Sequence, residues 1–334
     1  MEFKAKKLVM LLLVLLLSLA LIAGCGDDNG DMEDTEDENG EVVDVDDEEA
    51  DDEDEGDVAS EEADDAADDE AEEALDPAVV VWDATKPVME GVADGNNIMP
   101  FEQALENMEA NGDGIFLIDM RRLEDYEEGH LPGAVHISYD GMAEAMNTVP
   151  QDKDIYIYCY TGQTSGQAVA AYLAMGFDAV SLGGGMNFGW APLELDEDTL
   201  ETEGTELPEA SAQWTPEQEV LQVEIHKHFN QGTNYIVQPE ELDEAMEDDL
   251  TIIDIRNQEV YDEGHIEGAE FIPWADLAER FDDIPQDKPV YVVCFSGQTA
   301  GQAVFNLRMN GVEAYSLYRG MAGWEAADMP VATP

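Results

Sequence analysis

One stretch of this chain occurs twice, and that repetition constrains the fold more than any other feature. Ile155-Tyr-Ile-Tyr-Cys159-Tyr-Thr-Gly-Gln-Thr164-Ser-Gly-Gln-Ala-Val-Ala is answered 135 residues later by Val290-Tyr-Val-Val-Cys294-Phe-Ser-Gly-Gln-Thr299-Ala-Gly-Gln-Ala-Val-Phe. The same step carries Asp119 to Asp254, Arg121 to Arg256, His130 to His265 and Gly185-Met186 to Gly320-Met321. A register held without a gap over that span means duplication. The period is far too long for a solenoid, so each copy is a domain.

Within a copy the apolar pattern alternates between short buried runs and helical segments. In the first copy Phe101–Ala110 reads as a helix and Ile115–Asp119 as a buried strand. Leu123–Glu128 reads as a short helix and Ala134–Ile137 as a short strand. Gly141–Asn147 is a helical turn, Ile155–Cys159 the central strand, Ser165–Met175 a helix and Val180–Leu182 the last strand. This alternation predicts an α/β fold, a parallel sheet flanked by helices, built twice. Ligands of such sheets bind off the carboxyl ends of the strands, where Cys159 and Cys294 fall. A cysteine on a strand-to-helix turn faces N–H groups with no intrahelical partner. They stabilise a thiolate, which makes the sulfur a nucleophile. A buried, inert cysteine is the alternative for one such residue; two in matching loops favour function.

The 334 residues suit about two domains. A formal charge of −67 excludes ordinary nucleic-acid binding, which needs a basic footprint. It also suggests a high-salt habitat, where dense negative charge is screened. Three cysteines, Cys25, Cys159 and Cys294, give no disulfide framework. Residues 1–25 form a targeting segment: Lys4, Lys6 and Lys7 precede an apolar run from Leu8 to Ile22, ending in Leu21-Ile-Ala-Gly-Cys25. This resembles a bacterial lipoprotein signal, which implies a lipidated Cys25 and an extracytoplasmic, membrane-anchored chain. Residues 26–76 are acidic and low in complexity, without Lys or Arg from Asp27 to Asp76, and are expected to be a disordered tether. The remaining boundaries are expected at 77–195 for the first domain, 196–233 for the connection and 234–334 for the second domain. Within the connection, Trp214-Thr-Pro-Glu reads as a capped helix start. His226 and His228, two apart on that helix, face different ways, and no metal site is expected there.

Four landmarks, in order and twice over, resemble the rhodanese family. They are Leu117-Ile-Asp-Met-Arg121 with Ile252-Ile-Asp-Ile-Arg256, Gly129-His-Leu-Pro-Gly-Ala134 with Gly264-His-Ile-Glu-Gly-Ala269, the cysteine loops, and Gly184-Gly-Met with Arg319-Gly-Met-Ala-Gly-Trp324. The resemblance implies a sulfurtransferase without cofactor or metal, whose partners are a small sulfur donor and a thiol acceptor. Cys159 and Cys294 would carry a sulfane sulfur as persulfide. The loops Tyr160, Thr161, Gly162, Gln163 and Thr164, and Phe295, Ser296, Gly297, Gln298 and Thr299, would cradle it through backbone N–H groups. Asp119, Arg121, Asp254 and Arg256 would support the loops, either as structural ion pairs or by steering an anion.

The resemblance also sets the alternatives. A six-residue loop fits sulfur-handling members, whereas related phosphatases and arsenate reductases use one residue more. Many members place Arg or Lys at the sixth loop position to bind thiosulfate. Thr164 and Thr299 stand there in this chain and supply no charge, so a persulfide or polysulfide donor is expected to serve better. Both copies keep their cysteine, so both are expected to turn over. A non-catalytic binding or persulfide-sensing module is the competing reading. Without a Cys-x-x-Cys pair, disulfide exchange is disfavoured.

Overall fold

A computed structural model describes residues 74–91, 96–196 and 199–333, all within one compact unit, Glu70–Pro334. The expected signal segment, Cys25 and the acidic tether up to residue 73 lie outside the described residues.

Each copy forms a five-stranded parallel sheet. In the first the strands are β1 (Ile98–Met99), β2 (Ile115–Asp119), β3 (Val135–His136), β4 (Asp154–Tyr158) and β5 (Ala179–Leu182), in the order β1-β5-β4-β2-β3. In the second they are β6 (Ile236–Val237), β7 (Thr251–Asp254), β8 (Glu270–Phe271), β9 (Val290–Val293) and β10 (Ala314–Leu317), in the order β6-β10-β9-β7-β8. The cysteine-bearing strand is central in both, and strand alternation explains its burial on two faces. Ile155 and Ile157 join Phe116 and Ile118 in one core. Tyr156 and Tyr158 join Ile115 and Leu117 in the other. The second copy divides in the same way, with Val290, Val292 and Ile253 on one face and Val293 and Ile252 on the opposite one.

The helices that follow the cysteines, Gln163–Ala174 and Gln298–Met309, pack against each other. Glycine makes the approach possible. A Cβ on Gly166 would run into the carbonyl oxygen of Gln298, and one on Gly301 into that of Gln163. The cores therefore merge at this seam, where Phe305 of the second copy packs with Val169, Ala170 and Tyr172 of the first.

Two further helices clasp the seam. Pro216–Phe229 opens at the capped start read from the sequence, and the cap is a full capping box: Gln218 N–H donates to Thr215 Oγ1 at 3.3 Å and Thr215 N–H to Gln218 Oε1 at 3.0 Å. The segment before residue 96, for which the sequence suggests no element, contains the helix Pro77–Glu90. Its run of three valines and its internal Pro87 argue against a helix by propensity. Burial overrides that preference, with Val80, Val81 and Val88 in the first core and Met89 in the second. The helix is tied to the second copy by Asn310, which donates to Thr85 Oγ1 at 2.7 Å.

Of the two histidines on Pro216–Phe229, His226 is partly exposed, whereas His228 is buried among Phe229, Tyr235 and Phe305. Burial, and secondarily the Arg308 guanidinium, push the His228 imidazole down from 6.5 to about 3. The unfolded chain therefore takes up a proton that the folded chain refuses. Stability from this group is complete above about pH 6.5 and is lost progressively as pH falls toward about 3. In urea unfolding, the stability of wild type relative to His228→Gln should fall by about 1 kcal/mol between about pH 7 and about pH 5.5. A difference independent of pH would show that His228 is not held neutral.

Candidate functional site

Strand β4 delivers Cys159 at its carboxyl end, and β9 delivers Cys294. Both side chains are nearly enclosed, at 2% and 4% exposure. The loop folds back over the sulfur, so that Gly162 N–H donates to Cys159 Sγ at 3.2 Å. In the second copy Gly297 and Ala300 N–H donate to Cys294 Sγ at 3.1 and 3.3 Å. Burial pushes the Cys294 thiol up, while the N–H groups of Ala300, Ser296, Gly297 and Thr299 pull it down. N–H groups at the helix start thus point at the sulfur, one at Cys159 and two at Cys294. The following helix begins at Gln163, two residues earlier than its sequence suggests, and has no side-chain cap. A Ser or Asp cap there would compete with the sulfur for those donors.

A glycine turn after the last strand locks each loop from behind. Met186 N–H donates to the Cys159 carbonyl at 2.9 Å and Asn187 N–H to that of Tyr160 at 2.8 Å. Met321 and Ala322 repeat this on Cys294 and Phe295 at 2.8 and 3.0 Å. Gly185 and Gly320 have φ of +56° and +54°, and a Cβ on either would strike the carbonyl of its cysteine.

The loop residues then divide. Tyr160, Thr161 and Thr164 line a cavity of about 340 Å³ with Cys159. The side chains of Gln163 and Gln298 leave their loops and cross into the other copy. Gln163 Nε2 donates to Ser316 Oγ at 2.8 Å and the Leu317 carbonyl at 2.9 Å, and its Oε1 accepts from Arg319 N–H at 3.2 Å. Gln298 reciprocates on Ser181 Oγ at 2.6 Å, the Leu182 carbonyl at 3.2 Å and Gly184 N–H at 3.1 Å. Of the side chains around the Cys159 cavity, Asn187, Asn234, Ile236, Gln238 and Tyr318 escaped the sequence reading, and the last four come from the second domain.

Asp119 and Arg121 form a buried pair at 2.7 Å, and Arg121 Nη2 donates onward to the Gly129 carbonyl at 2.6 Å. Asp254 and Arg256 repeat this at 2.6 Å, with 2.7 Å to Gly264. These contacts fasten the strand end to the glycine-histidine turn. Arg121 and Arg122 also border a larger opening of about 770 Å³ beside Tyr160 and Thr164. Arg122 is partnered there by Asp125 at 3.0 Å and by the Tyr160 hydroxyl, which itself donates to Asp125. The second copy has Asn257 and an exposed Phe295 at those positions.

The chain matches the family model of the rhodanese-like domain over residues 101–191 and again over 238–327, together more than half of its length. It belongs to the rhodanese-like domain family. Relatives of these rhodanese domains include the 3-mercaptopyruvate sulfurtransferase of Escherichia coli, 26% identical over 262 residues that cover 64% of this chain and 86% of that protein. The thiosulfate sulfurtransferase GlpE of Pseudoalteromonas translucida is 36% identical over 81 residues, 24% of this chain and 77% of its own. The chain spans 59% of the uncharacterized protein YqhL of Bacillus subtilis, to which it is 40% identical over 74 residues, 22% of its own length. It spans 41% of a putative sulfur carrier protein, YrkF, from the same organism. Among solved structures, the 3-mercaptopyruvate sulfotransferase SseA of E. coli is similar with a TM-score of 0.32 and 24% identity, over 66% of this chain and 96% of that one.

The seam behind the rhodanese loops can be tested at its closest approach. Alanine is favoured over glycine in a helix by about 0.8–1 kcal/mol, so Gly166→Ala would stabilise a helix that touched nothing. Because the new methyl meets the Gln298 carbonyl, Gly166→Ala and Gly301→Ala are each expected to cost about 1–3 kcal/mol in urea unfolding. A neutral or stabilising result at both would show that the helices are not in contact there.

Proposed function

We propose that this chain is a sulfurtransferase that carries sulfane sulfur on Cys159 and Cys294, from a persulfide or polysulfide donor to a thiol acceptor. The observation that carries this reading is the burial of each sulfur at a strand-to-helix turn, where Cys159 Sγ accepts from Gly162 N–H and Cys294 Sγ from Gly297 and Ala300 N–H. Those donors suit an anion one or two sulfur atoms long. In the first half-reaction the cysteine thiolate attacks the terminal sulfur of R–S–SH. A new S–S bond forms, the donor's S–S bond breaks, and its electron pair leaves on RS⁻. In the second, an acceptor thiolate attacks the outer sulfur of the enzyme persulfide, and the cysteine leaves as thiolate. No net oxidation occurs across the two steps. Relatives named for thiosulfate and for 3-mercaptopyruvate support the reaction class.

The donor preference follows from charge. The side chains lining the Cys159 cavity are all uncharged. The nearby Arg121 and Arg122 are neutralised by Asp119 and Asp125. A thiosulfate dianion therefore meets no charged side chain in the lining of the Cys159 cavity, in a chain of strongly negative charge. The reading also includes a lipid on Cys25 that holds the enzyme at the outer face of the membrane, supported by the basic start and apolar run of residues 1–25.

Steady-state kinetics with thiosulfate and with glutathione persulfide test this. Wild type should favour the persulfide, and added salt should improve thiosulfate use. Thr164→Arg or Thr299→Arg should lower the thiosulfate KM by roughly tenfold, as expected of one charge-assisted contact. A low thiosulfate KM in wild type, indifferent to salt and to the added Arg, would contradict the donor assignment. Turnover with neither donor would leave a binding or sensing module in its place.

A further inference from the structure

The two copies differ at one position that touches sulfur. Ser165 is wholly buried, with its Oγ 3.5 Å from Cys159 Sγ. Its counterpart, Ala300, offers Cys294 only a backbone N–H. Ser165 Oγ also lies 2.8 Å from Ser181 Oγ and 3.1 Å from the Gly162 carbonyl oxygen. Ser181 Oγ accepts from Gln298 Nε2 at 2.6 Å, and Gln298 belongs to the second copy. Four side chains thus form a line, Gln298–Ser181–Ser165–Cys159, each of them buried.

Proton counting gives this line a direction. The amide nitrogen of Gln298 can only donate. Ser181 accepts from it and has one proton left, which goes to Ser165. Ser165 accepts that proton and has one of its own, with two acceptors in reach: the Gly162 carbonyl and the cysteine sulfur. While Cys159 is a thiol, its S–H donates to Ser165 Oγ and the Ser165 O–H goes to Gly162. Once the sulfur is an anion it has nothing to donate, and a rotation of the Ser165 hydroxyl brings the O–H onto it. Every group on the line is satisfied in both states, so ionisation leaves no buried donor unpaired.

We propose that Ser165 is a catalytic residue of the first domain, the hydroxyl donor to the Cys159 thiolate, and that Gln298 of the second domain positions it through Ser181. The thiolate is the attacking group in the first half-reaction and the leaving group in the second. A charge-assisted hydrogen bond to it raises the ionised fraction and speeds its departure. In the second domain the corresponding line stops short. Gln163 reaches Ser316, but Ser316 finds only the Tyr235 carbonyl at 3.5 Å, and position 300 has no hydroxyl. Cys294 relies on backbone N–H groups against a burial that pushes its thiol up. The two sulfurs are therefore unequal, and the first domain depends on a side chain of the second for its reactivity. Only the catalytic meaning of this hydroxyl rests on the sulfurtransferase reading; its effect on the thiolate does not.

The experiment is iodoacetamide alkylation of the full chain across pH, with Cys159 and Cys294 quantified separately on their peptides by mass spectrometry. It reads the thiolate without sulfur transfer, so it answers even if no turnover is found. Ser165→Ala should move the Cys159 midpoint up by about one pH unit, as for one hydrogen bond to a charged group, and leave Cys294 in place. Gln298→Leu, with Ser165 intact, should move Cys159 the same way by a smaller amount. Ala300→Ser should bring the Cys294 midpoint down. An unmoved Cys159 midpoint in Ser165→Ala, or equal shifts at both cysteines as a loosened fold would give, overturns the role of the hydroxyl. An unmoved midpoint in Gln298→Leu overturns positioning by the second domain.

Discussion

The rest of the structure depends on two glutamines that exchange domains. Gln163 and Gln298 open the helices behind the two cysteine loops, and each extends into the sheet of the other copy to bond a serine, a strand carbonyl and a turn N–H. Each of these bonds contributes about 1 kcal/mol net, but removing one glutamine strands several buried polar groups, at about 1–3 kcal/mol apiece. The turns they hold, around Gly184 and Arg319, lead directly into the N–H groups that lock the carbonyls of Cys159, Tyr160, Cys294 and Phe295. Each sulfur cradle is thus braced by the opposite domain.

That bracing changes what a duplicated domain means in this chain. Two copies with complete landmarks suggest two independent units. The helices meet instead at Gly166 and Gly301, close enough that neither position has room for a methyl group. The Cys159 cavity takes Ile236, Gln238 and Tyr318 from the second domain as walls. The lead-in segments act in the same crossed sense: Gln302 donates to the Asn96 carbonyl at 2.6 Å and Gln167 to that of Asn234 at 2.7 Å. Each domain presents its cysteine on a loop that hydrogen-bonds to the other.

The cysteine strands, the parallel sheets and the capped helix at Thr215 were legible in the sequence because each is a local pattern: alternation, β-branching, a Thr-Pro helix start. The helix starts at Gln163 and Gln298 were not, because their free N–H groups serve the sulfur and no capping side chain announces them. Both glutamines read as loop residues, whereas their side chains point away from the sulfur; only contacts 153 and 117 residues distant in sequence explain them. Pro77–Glu90 was missed because burial holds a valine-rich segment helical, although Asp76 before Pro77, with Ala78 N–H donating to its carboxylate at 3.0 Å, is a start signal. The Ser165 and Ala300 difference was visible in the aligned repeats, but its meaning needed Ser181 and Gln298 in space.

The central claim is that both enclosed cysteines hold a transferable sulfur atom, and peptide-resolved mass spectrometry of the full chain tests it most directly. After exposure to a small persulfide, the Cys159 and Cys294 peptides should each gain the mass of one sulfur atom. Addition of a thiol should return both to their original mass and yield the thiol's persulfide. A chain that gains no sulfur at either cysteine, or gains one that a thiol cannot remove, would contradict it.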